Sequence, residues 1–179
     1  SFLTQMGKMS GDFKYFDEAA KQIILMDKYL WCAEKELYYH CYYTDLERNG
    51  VAHWGRANGW ITISNANLIE AMPEDHPSRK ELISILEKQI VGYSKWQNGN
   101  GMWNQLVNRS DSDEESSVTA MFGYGVAKAV NNNWIDSGYA SIAKTGWAAL
   151  KKNQITEDGR FTNVCVGTGI KEDLPFYFN

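Results

Sequence analysis

An alternation between two kinds of helix-forming segment constrains this chain more than any other feature. Residues 58–72 (NGWITISNANLIEAM) and 115–133 (ESSVTAMFGYGVAKAVNNN) are rich in small and aromatic residues. Residues 76–97 (HPSRKELISILEKQIVGYSKWQ) and 136–153 (DSGYASIAKTGWAALKKN) are amphipathic and carry Lys and Glu. Gly123 and Gly125 would weaken a helix exposed to water, so 115–133 is expected to lie enclosed among other helices. An amphipathic helix leaves one face in solvent. The two styles therefore suit an inner and an outer layer. An earlier segment, 14–31, places Phe16, Ala19, Ala20, Ile23, Ile24, Tyr29 and Leu30 at helical spacing. Pro73 stops 58–72, Pro77 falls in the first turn of 76–97, and Asp136 is positioned to cap the last helix.

Between the helices run three segments of similar style, EKELYYHCYY (34–43), GNGMWNQLV (99–107) and EDGRFTNVCV (157–166), whose starts lie roughly 60 residues apart. Such a repeat implies units that bury their apolar faces only against neighbours. The expected fold is all-α, a two-layered helical toroid with short β-hairpins. Three units do not close a ring, so the chain, one domain over 1–179, reads as about half of one. Its opening SFLTQMGKMSGD reads as the tail of a helix followed by a Ser-Gly-Asp turn, and FYFN carries no terminal signal. Both ends are expected to be internal to a longer protein.

Composition excludes several functions. The net charge is −4 with no basic tract, whereas a nucleic-acid partner needs clustered positive charge. No apolar run of about 18 residues is present to span a membrane. Cys32, Cys41 and Cys165 show neither CxxC nor His-rich spacing, which favours buried free thiols over a disulfide or a zinc site. No metal cluster, P-loop or GxSxG motif appears, so no cofactor is expected. Aromatics make up 13% of the chain. They serve either a large core or the stacking of sugar rings, and composition does not choose between these.

HWGRANGW (53–60) is the candidate site. Residues 38–56 read as a β-hairpin with Asn49-Gly50 in the connecting loop. Trp54 and Arg56 would then share one strand face, with His53 on the other. The helix that follows offers unpaired N–H groups and a dipole that favours an anion. Arg56 could grip a carboxylate with two donors, while Trp54 and Trp60 flank the ring bearing it. The competing reading makes both tryptophans core anchors and pairs Arg56 with a nearby acid. His40 would share a strand face with Tyr38 and Tyr42; a lone histidine is more often structural than functional. DSDEESS (111–117) reads as a solvated loop in which Glu115, Ser116 or Ser117 caps the next helix.

Together, HWGRANGW, ESSVTAMFGYGVAKAVNNNWID, GWAAL, DGR and VCVGTG resemble, in that order, the unsaturated glycuronyl and rhamnogalacturonyl hydrolases. These are glycoside hydrolase families 88 and 105, and the second is the closer match. The resemblance implies an (α/α)6 barrel acting on oligosaccharides whose non-reducing end is a 4,5-unsaturated uronic acid left by a polysaccharide lyase. An aspartic acid protonates the C4=C5 bond, water adds at C5, and the resulting hemiketal opens to release the neighbouring sugar. The resemblance makes His40, Trp54, Arg56 and Trp60 substrate-binding residues, with Arg56 on the uronate carboxylate; Asn58 and Glu115 fall in patterned stretches without a role. It puts the catalytic aspartate on a helix upstream of Ser1, a part that Asp12 and Asp17 do not fill, and the last part of the barrel beyond FYFN. The chain alone is therefore expected to show no turnover, and its partner would be the missing half of the barrel or a second copy at the open edge. The leaving sugar stays open, and the compartment is expected to be bacterial cytoplasm or periplasm. Two alternatives remain: a non-catalytic sugar-binding half-barrel, which should associate through an apolar edge, and an epimerase or lyase on the same barrel.

Overall fold

In the computed structural model, which describes residues 2–178, each helix begins and ends for a local reason. α1 (Phe2–Ser10) stops at Gly11, whose φ of 69° is left-handed and whose N–H reaches back to the Gly7 carbonyl. Asp12 then caps α2 (Phe13–Leu30) by accepting from the Lys14 N–H at 3.0 Å. The Ser-Gly-Asp turn expected from the sequence is this corner.

Two short antiparallel ribbons follow. β1 (Trp31–Cys32) pairs with β2 (Leu37–Tyr38), and β3 (Tyr42–Tyr43) with β4 (Arg48–Asn49). The single hairpin read over 38–56 is thus corrected. Asn49 lies inside β4 opposite Tyr42, and the chain reverses through 44–47, where Glu47 takes a left-handed φ of 48°. His40 falls between the ribbons rather than on a shared strand face, and its N–H bonds the Ala52 carbonyl.

Four further helices complete the chain: α3 (Gly55–Ala71), α4 (Arg79–Ser94), α5 (Ser116–Asn131) and α6 (Ala140–Asn153). α3 begins three residues earlier than expected, which makes Arg56 helical. Pro77 precedes α4 instead of sitting in its first turn, and Asp136 caps a short 3-10 turn (Ser137–Tyr139) leading into α6. α3 packs between α1 and α5, α2 packs on α4, and each helix also touches the next in sequence. The two-layer expectation therefore holds for these helices, with α1, α3 and α5 in one row.

Glycine sets the spacing within that row. A Cβ at Gly55 would lie 2.8 Å from Val118 Cγ2, at Gly59 2.6 Å from Met121 Sδ, and at Gly125 2.2 Å from Thr62 Cγ2. α3 and α5 therefore approach more closely than side chains would permit. Between α4 and α5 the core is aromatic. Tyr93 and Phe122 stack at 3.9 Å, and Trp103 meets both edge-on. Much of the aromatic content is core. Among the described residues no helix is long and apolar enough to cross a membrane. Cys32, Cys41 and Cys165 are free thiols, the first two buried and Cys165 partly exposed.

The three inter-helix segments meet at the end where α3 and α5 begin. Trp54 bridges Leu106, the Gly55 N–H bonds the Gln105 carbonyl at 2.7 Å, and the Ser116 N–H bonds the Asn163 carbonyl at 2.9 Å.

Two substitutions on one helix should act in opposite directions. Gly125→Ala should cost about 2 kcal/mol by overpacking against Thr62. Gly123, whose nearest neighbour would be the Ala143 carbonyl at 3.9 Å, should gain about 0.5–1 kcal/mol as alanine. Chemical denaturation midpoints of the two variants test this.

Candidate functional site

The site is built on Asn58, a fully buried residue one turn into α3. Its Oδ1 accepts from the Tyr38 N–H at 2.8 Å, and its Nδ2 donates to the Tyr38 carbonyl at 2.9 Å. The amide thus satisfies both main-chain groups of a strand residue. The Asn58 carbonyl in turn accepts from Gln89 Nε2 of α4 at 2.9 Å. The Tyr38 side chain turns away from the site, its hydroxyl donating to Asp27 at 2.7 Å.

With the ribbon fixed, four side chains line up. The His40 ring lies 5.5 Å from Tyr177 and 4.8 Å from Trp54, and the Arg56 guanidinium sits 4.9 Å over the Trp54 ring. His40 Nδ1 is 3.1 Å from the Tyr177 hydroxyl. Tyr177 itself is buried with Ala52 and Leu106, which brings the C-terminal segment over the ribbons. Burial holds the His40 imidazole below the ordinary histidine value. Burial also lowers His53, opposed by its hydrogen bond to the Tyr38 carbonyl.

Arg56 Nη1 donates to the carbonyl of Cys165. Among the described residues its other donors have no hydrogen-bond partner and no carboxylate pairs with it. Arg48, Arg109 and Arg160 differ, each being paired with an acid: Glu172, Asp111 and Asp158 respectively. The competing expectation that Arg56 neutralises a neighbouring acid is therefore wrong. No side chain caps α3, and the Arg56 and Ala57 N–H groups have no main-chain acceptor among the described residues. The first turn of α3 thus carries both a guanidinium and uncapped N–H groups, each of which favours an anion.

The tryptophans part company. Trp54 is 8% exposed and forms a wall beneath Arg56, its indole N–H without a protein acceptor. Trp60 is 55% exposed and lines a separate apolar cleft with Leu3, Ala19 and Met26. The two rings do not face each other across one pocket in this chain. The face alternation read from a strand gives way to helical geometry, and His53 is buried against Tyr39. Glu115, read as part of a solvated run, is 2% exposed and caps α5 by accepting from the Ser117 and Val118 N–H groups. Tyr177 and the Cys165 carbonyl escaped the sequence reading, because nothing near either marks a contact more than a hundred residues away.

Fold and site together define a two-layered helical protein that carries, at one end, an arginine stacked on an indole and without an acid among the described residues. The sequence pattern of Glycosyl Hydrolase Family 88 matches residues 1–179, and the chain belongs to that family. It is 32% identical over 162 residues to an unsaturated 3S-rhamnoglycuronyl hydrolase of Alteromonas sp. (strain LOR), covering 87% of this chain and 39% of that protein. It is 27% identical over 180 residues to the unsaturated rhamnogalacturonyl hydrolase YesR of Bacillus subtilis (strain 168), covering 98% and 49%. A family 105 glycoside hydrolase structure from C. acetobutylicum ATCC 824 superposes with a TM-score of 0.92 at 26% identity, over 99% of this chain and 55% of that one. The chain thus spans about half the length of the curated relatives it matches or less.

Two outcomes are expected here. Asn58→Ala, which removes the side-chain partner of the Tyr38 N–H and leaves the Tyr38 carbonyl to His53 alone among side chains, should cost about 1–3 kcal/mol, read from denaturant midpoints. Burial favours the neutral form of His40 and His53 and holds both below the ordinary histidine value of about 6.5. Their contribution to stability is therefore complete above that pH and is lost as pH falls through the folded values. Melting temperature should drop from pH 7 to 5.5, and less steeply in His53→Phe.

Proposed function

We propose that the protein carrying this chain is a hydrolase of unsaturated uronyl oligosaccharides, and that Arg56 seats the uronate carboxylate. The observation that supports this reading most is the state of Arg56. Among the described residues Arg56 and Arg79 are both stacked on an indole, held by a main-chain carbonyl and left without an acid, but only Arg56 lies at the start of α3 on the tryptophan that His40 also touches. A carboxylate placed there could take two guanidinium donors and the first-turn N–H groups of α3. His40, neutral beside Trp54, would then border the ring as a donor or acceptor without adding charge. Trp60 would line the adjoining apolar cleft rather than the ring face opposite Trp54.

In the reaction implied by the family resemblance, an aspartic acid delivers a proton to the C4=C5 enol ether. Water adds at C5, and the hemiketal opens to free the next sugar. This differs from displacement between two carboxylates. The acid needs an enclosed site and a raised pKa. By the same resemblance the acid would come from another helix of one (α/α)6 barrel, of which residues 1–179 would form part.

The test uses the full open reading frame encoding this chain, given lyase-generated unsaturated oligosaccharides. Loss of the ultraviolet absorbance of the C4=C5 bond is the expected result. Arg56→Ala should lower kcat/KM about 100-fold or more, the equivalent of roughly 3 kcal/mol for two charged hydrogen bonds. Arg56→Lys should restore only part of this, since an ammonium lacks the fork. Flat absorbance across several lyase products would overturn the reading.

A further inference from the structure

The Glu115 carboxylate has more partners than a helix cap requires. Oε1 accepts from the Ser117 N–H at 2.9 Å and Oε2 from the Val118 N–H at 2.8 Å, which completes the cap of α5. Oε1 also accepts from the N–H of Cys165 at 3.0 Å, a residue 50 positions further along the chain. No lysine or arginine pairs with Glu115 among the described residues, so this buried charge is carried by main-chain and hydroxyl donors alone.

Cys165 is where a surface strap is last held. Upstream, Ser116 fixes the strap through its N–H to the Asn163 carbonyl and its hydroxyl to the Thr162 carbonyl at 2.7 Å. Downstream, the main chain of 166–170 makes no hydrogen bond to another element among the described residues, and Val166 is fully exposed. The next tether is the Lys171 N–H on the Tyr177 hydroxyl. The Cys165 carbonyl, one atom group beyond the Glu115 bond, is the acceptor that aims Arg56. Glu115 on α5 and Arg56 on α3 therefore act on opposite sides of one residue.

We propose that Glu115 is a positioning residue of the Arg56 anion site, fixing through Cys165 the carbonyl that sets the guanidinium orientation. The proposal rests on the reading of Arg56 as the carboxylate seat. Aspartate is itself a good N-cap, but its carboxylate is one methylene shorter and cannot keep the cap and reach Cys165 together. Glu115→Asp thus separates the two roles.

The experiment compares Glu115→Asp, Glu115→Gln, Arg56→Ala and the Glu115→Asp/Arg56→Ala double variant in the full reading frame. Steady-state kinetics on an unsaturated oligosaccharide and amide hydrogen exchange are measured together. Glu115→Asp should raise KM about ten-fold with kcat within about two-fold, as loss of uniform substrate binding does. Exchange at 163–166 should speed up while Ser117 and Val118 stay protected. In the Arg56→Ala background the same substitution should change KM no further, because its effect passes through Arg56. An unchanged KM in both single Glu115 variants, or an equal loss with and without Arg56, would overturn the proposal. Failure of the underlying reading looks different: Arg56→Ala alone then leaves KM where it was.

Discussion

One side-chain amide holds the functional end of this protein together. A two-strand ribbon with two residues per strand has too few hydrogen bonds to persist alone in water. Asn58 supplies what a third strand would, pairing with both main-chain groups of Tyr38. Its own carbonyl is taken by Gln89, so ribbon, inner helix and outer helix share a single residue. In this dry interior the three bonds polarise one another, and losing any of them strands a buried partner. The position of His40, two residues past Tyr38, follows from this clamp.

Close packing of α3 on α5 completes the arrangement. Gly55, Gly59 and Gly125 remove the side chains that would hold the helices apart, which draws their N-termini together. Arg56 and Glu115 come from different repeat units, yet both reach residue 165. A wider separation would leave the strap with one anchor. Backbone entropy given up at these glycines is thus exchanged for an interface on which the site is assembled.

The sequence disclosed the helices and their two rows, because closely packed small residues and amphipathic Lys- and Glu-bearing ones leave different patterns, although α3 and α5 are less enclosed than expected and expose Trp60 and Tyr124. It misplaced the start of α3. Gly55-Arg56-Ala57-Asn58-Gly59 has the composition of a turn, and only packing against Val118 and Met121 makes those glycines favourable in a helix. The ribbons were misread for a related reason. Asn49-Gly50 is a strong turn signal, but strands of two residues are too short for alternation to overrule it. Arg56 stands out as a candidate in the sequence because an arginine between two tryptophans just before a helix is unusual locally. Glu115 is a candidate cap in the sequence and is the cap in the structure, but its burial was not legible, since a strap 50 residues away decides it.

Residue 165 is gripped by its N–H on one side and its carbonyl on the other. Neither contact senses the side chain between them. Substitutions there can accumulate without moving the guanidinium, provided the residue is not proline, which has no N–H to offer. The geometry of the site is thereby encoded in the path of the main chain and insulated from mutational drift at the point where it is held.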